Sequence, residues 1–113
     1  MKEHSELTLR KQTDFNKVYN NGKSTGSKFV VVLCKKNNLD YSRTAFVASK
    51  KVGNSVCRNR ARRLMKEAYS NIKVKVSRGY DIVFVARTGI SETNETEVEK
   101  SMFYAVKSAG LIN

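Results

Sequence analysis

The chain has 113 residues and a mass of 12.8 kDa, and its 22 Lys and Arg against 10 Asp and Glu give a formal net charge of +12. That length supports a single domain over residues 1–113, and a composition 40% hydrophobic excludes a disordered chain. No apolar run approaches the roughly 20 residues of a membrane span, and the start, MKEHSELTLRK, has no signal-peptide core, so a cytoplasmic protein without a membrane partner is expected.

Residues 13–19 place Phe15, Val18 and Tyr19 at i, i+3, i+4, which predicts a short helix stopped by Asn20-Asn21-Gly22. Residues 21–27 read as a polar loop. Residues 28–35 (KFVVVLCK) form a near-continuous β-branched run and predict a buried strand. Residues 37–40 make a turn, residues 43–49 a second strand, and the two strands are expected to pair as a hairpin. Ser55 is the expected N-cap of the next helix. In that helix Cys57, Ala61, Leu64, Met65, Ala68 and Ile72 form an apolar stripe. Residues 81–86 (DIVFVA) predict a third strand after Arg78-Gly79. Val98, Met102, Ala105, Val106 and Ala109 mark a last helix, closed by Gly110 at the C′ position. The order αββαβα predicts an α+β fold, a two-layer α/β sandwich. Two cysteines, Cys34 and Cys57, are too few for a disulfide scaffold or a structural zinc site, and free buried thiols are expected.

The charge is uneven. Residues 1–49 carry +5, residues 50–80 carry +9 with Glu67 as their one acid, and residues 81–113 carry −2. On 100° steps Arg58, Asn59, Arg62, Arg63 and Lys66 spread over the arc opposite the apolar stripe, with Arg60 near one edge of it. A face this rich in arginine, without glutamates at i±4, is suited to phosphate, because the planar guanidinium binds it in a bidentate way. Lys50 and Lys51 precede the helix, where exposed backbone N–H groups add to an anion site. A helix-turn-helix would need a helix directly before the basic one, and here a strand precedes it.

Catalytic motifs are missing. The one histidine, His4, lies in a charged stretch and is expected in solvent. Gly53-Asn54-Ser55 lacks the second glycine and the lysine of a phosphate loop. Asp14, Asp40, Glu67 and Asp81 fall on separate elements, and the acids at 92–99 open a helix whose positive end they complement. No catalytic residue and no metal site is expected in the protein. Phe15 and Tyr19 share one face of the first helix and read either as core or as a stacking platform for single-stranded RNA.

Residues 49–68 (SKKVGNSVCRNRARRLMKEA) resemble the S-K-K-x-G-x-A-V-x-R-N-R-x-K-R-x-x-R-E signature of the bacterial ribonuclease P protein family. Ser55 replaces the usual alanine, and Lys66 stands where an arginine is usual. Residues 9–15 and 22–24 resemble the family's amino-terminal helix, residues 79–87 its last strand, and Ala109-Gly110-Leu111 the end of its final helix. The resemblance implies a fold like the second domain of ribosomal protein S5, with a left-handed β–α–β crossover through the basic helix. It implies an RNA-based endonuclease that removes the 5′ leader of precursor tRNA, with magnesium at the RNA subunit and none held by the protein alone. Lys50, Lys51, Arg58, Asn59, Arg60, Arg62, Arg63 and Lys66 would then face ribonuclease P RNA. Phe15 and Tyr19 would line the leader cleft, and Val32 would stand where an aromatic often occupies the cleft face. No protein partner is implied. The same charge distribution would also serve a structural RNA binder of the ribosomal-protein type.

Overall fold

A computed structural model of the protein describes residues 12–112. His4 and the part of the resemblance at residues 9–11 lie outside the described residues. Helix α1 (Gln12–Asn21) buries Val18 and ends where the chain passes close to the sheet. A Cβ at Gly22 would sit 2.4 Å from the Val18 carbonyl oxygen and 2.8 Å from that of Cys34, so only glycine fits between α1 and the sheet there. There follow β1 (Lys23–Gly26), β2 (Val30–Lys36), β3 (Arg43–Val47), α2 (Ser55–Ile72), β4 (Tyr80–Ala86) and α3 (Glu95–Ser108), with 3₁₀ turns at Lys73–Lys75 and Ile90–Glu92.

The sheet order is β1-β2-β4-β3. The pairs β1–β2 and β2–β4 are antiparallel, whereas β3 and β4 are parallel and joined through α2. The expected hairpin of the second and third strands therefore does not form. Asp81, Ile82, Val83 and Phe84 of β4 are all buried, on both faces of the sheet, which suits a central strand, and β4 lies between β2 and β3. The expected polar loop at residues 21–27 contains β1, a polar, mostly exposed strand that pairs only with β2 at the sheet edge.

Strand alternation divides the sheet into two faces. Val30, Val32 and Cys34 of β2 and Ile82, Phe84 and Ala86 of β4 pack with α2 and α3 in the main core, which includes Leu64, Met65, Met102 and Val106. This is the expected sandwich. On the reverse face Val18 of α1 packs with Ala45 and Val83, flanked by Phe15, Leu33, Val47 and Val85. Each fully buried aliphatic side chain of this size contributes about 1.5–3 kcal/mol, so the two-helix face carries most of the hydrophobic stabilisation and the α1 face much less.

The N-cap of α2 is Asn54, not Ser55: its Oδ1 accepts the Cys57 N–H at 3.0 Å, and Ser55 is the first helical residue. Gly53 sets the cap. Its φ of +145° is a conformation that side chains disfavour, and a Cβ there would meet the Cys57 Cβ at 2.9 Å. Helix α3 is capped by Asn94, whose Oδ1 accepts the Glu97 N–H, and it is closed as expected by Gly110 at the C′ position. The Leu111 N–H reaches the Val106 carbonyl at 2.9 Å and the Gly110 N–H that of Lys107 at 3.0 Å, the paired bonds of a Schellman stop. Both cysteines are free, Cys34 buried and Cys57 only half-buried.

Candidate nucleic-acid interface

The apolar stripe of α2 is seated as its spacing requires. Ala61, Leu64, Met65, Ala68 and Ile72 are buried, which turns the intervening polar residues outward. Asn59, Arg60, Arg63 and Lys66 are exposed, Arg58 and Arg62 half-buried, and Lys50 and Lys51 exposed in the loop leading to the helix. The structure thus brings the eight predicted residues together on one helix and the loop that leads into it. Among the described residues none of the eight lies within ion-pair distance of a carboxylate. Glu67, the one acid of this segment, forms no ion pair with them. An uncompensated row of guanidinium and ammonium groups is a surface for a polyanion.

The eight are not equivalent. Arg60 donates from Nε to the Ser91 carbonyl and from Nη2 to the Thr93 carbonyl, both at 2.9 Å, and so ties α2 to the turn before α3. Its position at the edge of the stripe made this possible. Arg62 Nη2 donates to Asn59 Oδ1 at 2.5 Å, holding two of the polar side chains against each other. Arg58 is half-buried, and its Nε is shut off from solvent without a protein acceptor. Arg63, Lys66, Lys50 and Lys51 make no side-chain contact with protein acceptors among the described residues. The acids of the 92–99 cluster have structural work: Glu95 Oε2 and Glu99 Oε1 accept from Asn71 Nδ2 at 3.0 and 2.9 Å, joining α3 to the end of α2.

The second predicted site lies on the other side of the sheet. Phe15 and Tyr19 stack at 6.3 Å between ring centres with an 18° tilt. Phe15 is half-buried against the reverse-face cluster, whereas Tyr19 is 45% exposed. Val31, Val85 and Val47 lie side by side in register beside this pair, each half-buried, so α1 leaves part of that face uncovered. Val32 is not part of it. Its side chain is fully buried in the main core, on the α2 side, because alternation in β2 sends Val31 and Leu33 toward α1 and Val32 away. The position expected to lack a cleft aromatic is a core position.

One structural group went unnoticed in the sequence. Arg43 of β3 contacts Asp14 of α1 and Asp81 of β4, and Asn37 donates to the same Asp81 oxygen that accepts Arg43 Nε. A charged residue at the start of each of two otherwise apolar strands was the available signal. Among the described residues no group of three or more His, Cys, Asp or Glu side chains could hold a metal ion. Among the described residues no helix is long and apolar enough to cross a membrane.

The fold and this surface define a small α/β domain with a basic helix on one side of its sheet and a partly covered apolar face on the other. A family model described as Ribonuclease P matches residues 4–110. The ribonuclease P protein component of Clostridioides difficile is 48% identical over 100 residues, covering 88% of each chain. That of Alkaliphilus metalliredigens is 41% identical over 109 residues, covering 96% of this chain and 98% of the relative. The solved RNase P protein of Staphylococcus aureus superposes with a TM-score of 0.84 at 28% identity, covering 95% of this chain and 98% of that one. The Thermotoga maritima RNase P protein gives 0.80 at 31%, covering 89% and 96%. The chain belongs to the ribonuclease P protein family.

Proposed function

We propose that the chain is the protein subunit of a ribonuclease P holoenzyme and assists endonucleolytic removal of the 5′ leader in tRNA maturation in the cytoplasm. The observation that carries this reading is the face of α2, on which clustered cations have no carboxylate partner among the described residues. That face binds the RNA subunit. Arg63 and Lys66 neutralise phosphates, Arg58 adds its charge at the helix start, and Lys50 and Lys51 extend the contact beyond it. Arg60 has a double role, fixing the helix against the turn before α3 while leaving its remaining nitrogen and its charge to the RNA. The leader strand lies on the opposite side, where the Phe15–Tyr19 pair offers ring faces to bases beside the half-buried valines. The protein supplies binding and position. Bond cleavage and its magnesium ions belong to the RNA subunit, and no step runs through a protein-bound metal.

The test is reconstitution with a bacterial ribonuclease P RNA at low magnesium, followed by cleavage of precursor tRNA. Stimulation that depends on the leader is expected. No stimulation at any salt concentration overturns the reading.

A further inference from the structure

At the open flank of β3, the sheet and the second half of α2 diverge around a cavity of about 670 Å³, within the roughly 300–1,000 Å³ range of small-molecule sites. Phe46 and Tyr69 form its inner wall. Their rings meet edge to face at 6.0 Å, and both pack on Phe84, at 5.5 and 5.4 Å. Lys66 comes from α2, Lys73 from the turn that follows it, Arg78 from the approach to β4, and Tyr41 from the approach to β3. Three cations therefore border the opening against one carboxylate, Asp40. All three are exposed, and none forms an ion pair among the described residues.

Cations at the mouth with aromatic rings behind them are the combination that holds unpaired nucleotides: the cations take the phosphate and the rings take the base. A base inside a helical stack cannot present itself to such a pocket, whereas a splayed one can. Lys66 also belongs to the basic face of α2, so a strand docked on that face reaches the cavity without leaving the protein surface.

We infer that this cavity receives one unpaired nucleotide of an RNA strand, with its phosphate held by Lys66, Lys73 and Arg78 and its base against Tyr41 and Tyr69. The inference rests on the reading of α2 as an RNA-docking helix. It adds a site separate from the Phe15–Tyr19 face, which lies across the sheet.

The test uses the full chain, isotopically labelled, titrated with adenosine 5′-monophosphate and separately with inorganic phosphate while amide resonances are followed. Saturable shifts are expected at Thr44, Phe46, Ser70 and Val76, with phosphate binding at least fivefold more weakly than the nucleotide. Ser70→Trp fills the mouth from an exposed helix position, and the double variant Lys73→Glu with Arg78→Glu reverses its charge. Each should weaken nucleotide binding at least tenfold while the remaining resonances stay in place. Shifts confined to the first turns of α2, equal binding of phosphate and nucleotide, or undiminished binding by Ser70→Trp would each overturn the pocket. Because the titration contains no RNA subunit, its failure is distinguishable from failure of the precursor cleavage assay.

Discussion

The Arg43 guanidinium grips the Asp81 carboxylate through two parallel hydrogen bonds, Nε to Oδ1 at 2.8 Å and Nη2 to Oδ2 at 2.7 Å. The remaining nitrogen reaches Asp14 Oδ2 of α1 at 3.3 Å. One side chain of edge strand β3 thereby fixes the central strand and the lone helix on the reverse face. Asp81 is buried, so removing Arg43 leaves its charge without an opposite charge and with only the Asn37 amide as a side-chain donor. Arg43→Met should lower stability by about 3 kcal/mol, read from urea unfolding. At permissive temperature it should also weaken binding of leader-bearing precursor more than binding of the RNA subunit, since α1 loses its tether and α2 does not.

Arg60 and Arg63 separate architecture from recognition. Arg63→Ala removes a cation that touches no protein acceptor among the described residues. It should leave the melting temperature unchanged, weaken affinity for the RNA subunit, and lower the salt slope by about one or less. Arg60→Ala should produce a similar loss of affinity together with about 1 kcal/mol of destabilisation, because two carbonyls before α3 lose their donor. Salt-dependent binding and thermal melts of both variants check this. Equal stability of the two would show that the Arg60 bonds contribute nothing.

Tyr19 is the cleaner probe of leader binding. Phe15 packs in the reverse-face cluster, so its truncation costs folding energy as well as contact. Tyr19→Ala should lose about 1–3 kcal/mol of affinity for leader-bearing precursor while sparing mature tRNA. Parallel titrations with the two substrates decide the matter, and equal losses would reduce the aromatic pair to packing.

Tyr69 sets an alkaline limit. The ordinary phenol value is 10.0, and burial raises it to about 12 in the folded chain. The unfolded chain therefore releases this proton first as pH rises. The contribution of the neutral phenol is complete below the unfolded value and is lost as pH climbs through the folded one, a difference of about 2–3 kcal/mol. Tyr69→Phe should flatten the fall in stability across that window. Urea unfolding at a series of alkaline pH values, with an ultraviolet titration of the tyrosines, measures it.

Residue periodicity carried most of the helical architecture and the basic face, because a 3.6-residue stripe fixes which side chains turn outward. It did not reveal strand neighbours. The run at residues 28–35 and the strand starting at Arg43 both read as strands, but alternation identifies faces, not partners, and β4 comes between them. In VVVLC the apolar run is unbroken, so only the register against β4 shows that Val32 points to the main core. Asn54 and Ser55 are equally good caps by residue type, and the backbone at Gly53 decides between them. Asn54→Ala should accordingly cost about 1 kcal/mol and Ser55→Ala close to nothing, as thermal melts of the pair would show. The sequence-based expectation placed phosphate-binding cations along α2, and Arg60 among them also ties that helix to the turn before α3.

The position of β4 between β2 and β3 also has a consequence for synthesis. Translation delivers the whole basic helix, and with it more positive charge than the finished chain carries, before the central strand exists. Until residues 80–86 emerge, β2 and β3 have no common neighbour and α2 has no finished surface to lie on. Closing the sheet then joins segments far apart in sequence, a late and all-or-none event of the kind that non-local strand pairing imposes. An incomplete chain therefore carries the charge of an RNA binder without its shape, and the order of the strands delays selective recognition until the last third of the protein has been made.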